Sequence, residues 1–199
     1  MLSSNMKFNF LLATICALSL GAAGLHAQTT NAPAASTPST NAPSTNAPAA
    51  DAPAVSPADK HFLHAASQGG LFEIAVGNYA AKNGSSTAVK DLGNHMAMDH
   101  AALNQKVGDW ATSQGIKLSG TPNTKTQAKI DALTALTGAD FDAAFLKKVI
   151  KAHEMDIAAF QKEIDSTSNA DLKTLLTDAM PTLQSHLKMA QDAQAGLAK

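Results

Sequence analysis

Arginine is missing from this sequence: all fifteen basic residues are lysines, set against sixteen Asp and Glu for a formal net charge of −1. Without the planar guanidinium fork that grips phosphates and base edges in pairs, and without a strong positive field, the chain has little with which to hold nucleic acid or anionic lipid. Cysteine is almost missing too. The single Cys16 lies in an N-terminal apolar stretch, so the remainder can form no disulfide and must stabilise its own core. Aromatic residues make up only 5% of the chain, seven Phe with one Trp and one Tyr, while Ala and Leu are plentiful. That balance favours helices packed through small and aliphatic side chains over a β-sandwich. Catalytic signatures are lacking as well: no cysteine nucleophile, no Gly-rich phosphate loop and no Gly-x-Ser-x-Gly elbow occurs. The run from His95 to His100 (HMAMDH) has the wrong spacing for a zinc-protease helix and lacks its intervening Glu. These absences argue against an enzyme.

What is present begins with a leader. Lys7 precedes an apolar run from Phe8 to Leu20, and small residues then lead to Leu25-His26-Ala27, the order of a secretory signal with cleavage expected after Ala27. The other reading, an uncleaved anchor, asks for ~20 apolar residues, more than this run supplies. Loss of residues 1–27 leaves fourteen Lys against sixteen acids, formally −2. From Gln28 to Pro57 the chain is dominated by Ala, Pro, Thr, Asn and Ser, with Thr-Asn-Ala-Pro recurring at 30–33, 40–43 and 45–48. Such a segment has almost nothing to bury, so residues 28–57 are expected to be a disordered tether of polyproline character, reaching about 90 Å at most. It is either a spacer that associates the domain with an envelope or cell-wall surface, or an inert extension. Export across the inner membrane, to a periplasmic or outer-membrane-associated place, follows from the leader.

The remaining residues, 58–197, suffice for one domain. Their apolar positions follow helical periodicity, and breaks fall at Asn83-Gly84-Ser85-Ser86, at Gly115, and at Ser166-Thr167-Ser168-Asn169. The pattern predicts four long helices over 58–83, 86–114, 139–166 and 170–197, with a short helix near 126–136 in the connection between the two hairpins. One long crossover between two helical hairpins is the plan of an all-α, ferritin-like antiparallel four-helix bundle with a short fifth helix in the crossover. Pro181 is expected to kink the last helix.

Stepping alternately four and three residues gives each helix an interior seam. The seams run Phe62, Ala66, Gly69, Glu73, Val76, Ala80; then Val89, Met96, His100, Leu103, Val107, Trp110, with Leu92 and Gly93 at the skipped step. The third is Leu146, Ile150, His153, Ile157, Phe160, Ile164, and the fourth runs from Leu172 through Leu176, Ala179, Leu183 and His186 to Ala190, Ala193 and Leu197. Each seam holds one metal-grade side chain. The Glu73–His100 and His153–His186 pairs also have sequence midpoints at the edges of their turns, so each pair stands level to within ~5 Å, one helical turn. Four side chains, one per helix, are therefore expected to converge on a single transition-metal ion, Fe, Zn or Cu. Asp99, next to His100, and Asp156, three residues after His153, are placed to ligate or to orient a ligand by accepting its second N–H. Met96, Met155 and Met189 lie within a turn of these residues, as core filler or as thioethers suited to copper. His61, His64 and His95 are read as surface or rim residues. The competing reading of the four is structural: buried Glu and His that only set helix packing in a non-catalytic envelope module.

These residues resemble a known family. Gly69-Gly70-Leu71-Phe72-Glu73-Ile74, Val89-Lys90-Asp91-Leu92-Gly93 followed by Met96 and Asp99-His100, then Phe141-Asp142, His153 and the Leu183 to His186 segment are similar to the bacterial domain of unknown function 4142. The resemblance covers nearly all of 58–197 and implies export, often with an outer-membrane label, and a ferritin-like fold. The wider di-iron ferritin-like pattern supplies four carboxylates and two His through paired Glu-x-x-His motifs. None is present here, and a three-His, one-Glu set suits a single ion better than an oxo-bridged pair.

Overall fold

The computed structural model describes residues 53–197. The leader expected over 1–27 and the tether expected over 28–57, apart from its last residues, lie outside them. The described chain forms five helices: α1 Pro57–Asn83, α2 Thr87–Ser113, α3 Thr124–Thr134, α4 Gly138–Ser166 and α5 Ala170–Leu197. Among the described residues no helix is long and apolar enough to cross a membrane.

Four of the five helix starts, all but that of α4, are written in short polar side chains that satisfy otherwise unpaired first-turn N–H groups. Ser56 opens α1 in a reciprocal capping box, its hydroxyl accepting from Asp59 N at 3.1 Å while Asp59 accepts from Ser56 N at 2.8 Å, with Pro57 in the first turn. Ser86 opens α2, Asn123 opens α3 and Asn169 opens α5 in the same way, with side-chain oxygens 3.3, 2.9 and 2.9 Å from the N–H three residues on. Asn123 moves the start of the short helix two residues ahead of the expected position. Gly115, at φ +70°, takes the left-handed conformation that ends α2.

α1 and α2 form one hairpin and α4 and α5 the other, with α1 beside α4 and α2 beside α5. Asp142, buried near the start of α4, accepts from the N–H groups of Ser85 and Ser86 at 2.9 and 2.8 Å. The start of α4 is thereby tied to the α1–α2 turn, ~40 Å from where the 27-residue α2 finishes. The crossover must run the length of the bundle, and α3 packs along α1 as it does so. Gln68 holds one end of the crossover through Thr121 O and Asn123 N, at 3.2 and 2.8 Å, and the Tyr79 hydroxyl donates to Leu136 O at 3.1 Å near the other. At the opposite end of the bundle Asn169 donates to Pro53 O at 2.9 Å, and Val55 packs on the core.

The interior consists of two apolar clusters. One contains Phe72, Val76, Leu92, Met96, Phe141, Phe145, Leu146 and Val149; the other contains Leu63, Val107, Phe160, Leu172, Leu176 and Leu183. His100, His153 and His186 fall between the two clusters in sequence on α2, α4 and α5, Glu73 directly follows Phe72 of the first cluster on α1, and all four are buried.

The expected seam is buried along most of α5, while on α2 Leu103 and Trp110 and on α4 Ile150, Ile157 and Ile164 are half-buried, and the stripe differs more clearly in two places. In the first half of α1 the buried positions are Leu63, Ser67 and Gly70, one residue later than expected, while Phe62, Ala66 and Gly69 are half-buried. Leu197 is exposed at the end of α5. α5 continues helical through Pro181.

Candidate metal centre

The cluster begins with a close backbone approach. A Cβ on Gly93 would lie 2.6 Å from Ala81 N and 2.7 Å from Gly77 O, and one on Gly77 would lie 2.9 Å from Gly93 O. Only hydrogen fits between α1 and α2 at this crossing. The pinch sits one helical turn above Glu73, so a short carboxylate arm spans to the neighbouring helix: Glu73 Oε2 is 3.2 Å from His100 Nε2.

Two of the three rings are held in one tautomer by their outer nitrogens. His153 Nδ1 lies 3.1 Å from the carbonyl of Val149, one turn back on its own helix; a carbonyl only accepts, so Nδ1 carries the proton and Nε2 bears the lone pair. His186 Nε2 donates to Asp99 Oδ2 at 3.0 Å, leaving Nδ1 as its lone-pair nitrogen. These two lone-pair atoms, His153 Nε2 and His186 Nδ1, face each other at 3.4 Å. His100 Nε2 also stands 3.4 Å from His153 Nε2. One nitrogen from each ring lies within 4.8 Å of the other two.

A separation of 3.4 Å is long for a hydrogen bond between nitrogens, and two lone pairs pointed at each other repel unless something positive lies between them. Ligand atoms around a four-coordinate ion, with bonds of ~2.0–2.1 Å, stand ~3.3–3.4 Å apart. Two of the three ring-to-ring spacings, His153 to His186 and His100 to His153, have that length. Glu73 adds a second sign of an unmet positive partner. Its Oε1 is buried with no hydrogen bond; it lies 3.3 Å from His153 Nδ1, but that N–H is committed to Val149 O, so proximity does not amount to a bond. The atoms close enough to share one ion are the three imidazole nitrogens, a donor set that with no thiolate fits Zn, Fe or Cu; Glu73, expected as a fourth ligand, touches the His100 ring but stands outside that group.

Burial governs the protonation of the cluster. It pushes the His100 ring down to about 3, helped by the neighbouring His153 and His186. Burial with the His186 charge takes His153 to about 4, against the opposing pull of the Val149 carbonyl. His186 is also lowered by burial, partly offset by Asp99. All three are therefore neutral imidazoles at pH 7, ready to donate lone pairs. Burial first, then the Asp156 charge, pushes the Glu73 carboxyl well above its ordinary range. A bound cation would reverse that shift.

The six residues singled out in the sequence divide into three groups. Glu73, His100, His153 and His186 meet in the interior. Asp99 reaches from α2 to α5 and fixes His186, rather than its sequence neighbour His100. Asp156 stays apart from the rings and lines an adjoining cleft with Glu73; burial pushes it up to about 6, while Lys129 pulls it down. His61, His64 and His95 are exposed, as expected. Met96 is core filler, but Met155 is 61% exposed and lines the cleft. The Val149 lock went unread in the sequence, although a His four residues after any helical residue can reach that carbonyl. An inner cavity of about 20 Å³, lined among others by Glu73, His100 and Asp156, has room for one water.

Fold and interior cluster together define an all-α bundle with three His and one Glu gathered at mid-height. The family model described as Domain of unknown function (DUF4142) matches residues 44–193, and the chain belongs to this family. The match takes in nearly all of the five helices and carries through the resemblance read from the sequence motifs. No curated protein and no solved structure matches the chain.

Proposed function

We propose that this domain is an exported, envelope-located metal-binding module of ferritin-like plan, in which His100, His153, His186 and Glu73 hold a single transition-metal ion for storage, sensing or stress protection. The observation that carries the reading is the pair of lone-pair nitrogens, His153 Nε2 and His186 Nδ1, held 3.4 Å apart by outer hydrogen bonds to Val149 and Asp99. Supporting the plan is a single full-length crossover between two hairpins; supporting export is the leader at residues 1–27. The ion would supply Lewis acidity, and for Fe or Cu a redox couple. The chain's own residues do the rest: Val149 and Asp99 fix ring orientation, Glu73 supplies negative charge, and two apolar clusters exclude bulk water. Elemental analysis of the purified full chain tests the proposal. About one ion per chain is expected, lost in His153→Ala; stoichiometry far below one in native and reloaded protein removes it.

One observation favours a second reading, a non-catalytic envelope module whose polar layer only sets helix packing. With its carboxyl pushed up by burial, Glu73 can keep a proton and donate it to His100 Nε2 at 3.2 Å. The cluster would then be satisfied in part without an ion. In that case Glu73→Gln leaves the fold intact, and no metal changes its melting temperature.

A further inference from the structure

Beside the cluster, α1, the crossover with α3, and α4 enclose a cleft of about 870 Å³. Lys125 and Lys129 line it from α3, and Lys148 and Lys151 from α4. The i,i+4 and i,i+3 spacings turn each pair to one face of its helix, so lysine side chains line two sides of the same space. Among the described residues, none of the four forms an ion pair; the lysine that does is Lys188, with Asp192. The carboxylates lining the cleft are Glu73 and Asp156, the former buried and the latter half-buried. A chain of formal charge −1 has thus concentrated positive charge in one concavity, beside its interior donor cluster. Asp156, drawn down by Lys129, offsets part of this charge, and a bound anion would offset the remainder. Lysine, a compact point charge, holds oxyanions without the planar geometry that arginine imposes.

We infer that this cleft binds a small multivalent oxyanion, a polycarboxylate of citrate's class or a phosphate. Glu73 and Asp156 line both the cleft and the inner cavity beside His100, so the two spaces meet at these carboxylates. Resting on the metal-binding reading, the anion is the carrier of the ion. Bare divalent cations are repelled by four lysines, whereas a negatively charged chelate is drawn in and delivered next to the donor cluster.

Calorimetric titration of the metal-free full chain with citrate, and separately with inorganic phosphate, tests the site. Saturable one-to-one binding is expected, weakened about tenfold or more in Lys129→Gln/Lys151→Gln and by raised salt, and unchanged in the surface control Lys90→Gln/Lys106→Gln. All four substituted lysines are exposed, and circular dichroism checks that both variants fold. The tighter of the two anions identifies the source. Absence of heat with both at millimolar concentration, or equal affinity in the cleft variant and the control, overturns the inference. His153→Ala separates it from the metal reading: anion binding persists there when the cleft is a site in its own right, whether or not the native chain holds metal.

Discussion

Asp99 and His186 are 87 residues apart in sequence and joined by one hydrogen bond of 3.0 Å. Removing the acceptor leaves the ring free to turn or to change tautomer, so Asp99→Ala is expected to lower metal affinity by about 10–100-fold, measured by competition with a coloured chelator. Its side chain is 45% exposed, and the melting temperature of the metal-free protein should barely move. Protonation gives a second expectation. His100 and His153 fall to about 3 and about 4 when folded, below the ~6.5 of an unfolded chain. The unfolded state therefore binds more protons in that window, and stability is lost as pH falls below ~6.5, by on the order of 1–2 kcal/mol per ring at pH 5. Glu73 has the opposite sign: its raised folded value contributes stability at low pH that is lost as pH rises through that value. Glu73→Gln removes the opposing contribution, and thermal melts of the metal-free variant should show a steeper loss from pH 7 to pH 5 than the native protein. The ring and carboxylate identities were legible in the sequence. Which nitrogen of each ring faces inward was not, because that depends on partners one turn away or on another helix.

At the scale of the helices, two glycines of α2 separate packing from propensity. A Cβ at Gly93 meets the α1 backbone at 2.6 Å, whereas one at Gly108 meets nothing within 4 Å. Gly93→Ala must therefore push the helices apart and is expected to cost about 1–3 kcal/mol, while Gly108→Ala gains up to about 1 kcal/mol of helix propensity; urea unfolding of the two variants checks the contrast. Where the start of α1 approaches the end of α4, Asp59 and Glu163 form a second carboxylate pair. Glu163 rises to about 7, through burial and then through Asp59 as hydrogen-bond partner and as charge. Burial works to raise Asp59, but the Ser56 N–H that it accepts from, with the Ser56, Glu163 and Thr167 side chains beside it, holds it below its ordinary range. For Glu163 the folded value exceeds the unfolded one, so its stabilisation is complete below ~4.5 and lost as pH rises through about 7. Glu163→Gln should be more stable than the native chain at pH 8, on the order of 1 kcal/mol, with little difference at pH 5. Helix boundaries were readable to within a residue or two because capping side chains announce them. The Gly77–Gly93 pinch was not, since a glycine in a helical pattern does not say which backbone it lets approach.

For the whole molecule, an ion bound by side chains from all four long helices stabilises only the assembled bundle. At a free concentration one hundred times the dissociation constant, loading should add about 2.7 kcal/mol, seen as a higher melting temperature in the native chain and no change in His153→Ala. The two hairpins are also joined by Asp142, whose carboxylate holds two N–H groups of the α1–α2 turn. Asp142→Ala leaves these donors without their partner.

Periodicity, turn residues and composition determined the helix count, the hairpin pairing and the set of four interior polar residues, because each is a local property repeated along one chain direction. The level of the pairs followed from helix rise and turn position alone. The tertiary structure decided what depends on distance between helices: the ring orientations, the unmet carboxylate oxygen of Glu73, the partner of Asp99, and the gathering of four lysines from α3 and α4. No spacing within a single helix encodes how far its neighbour stands.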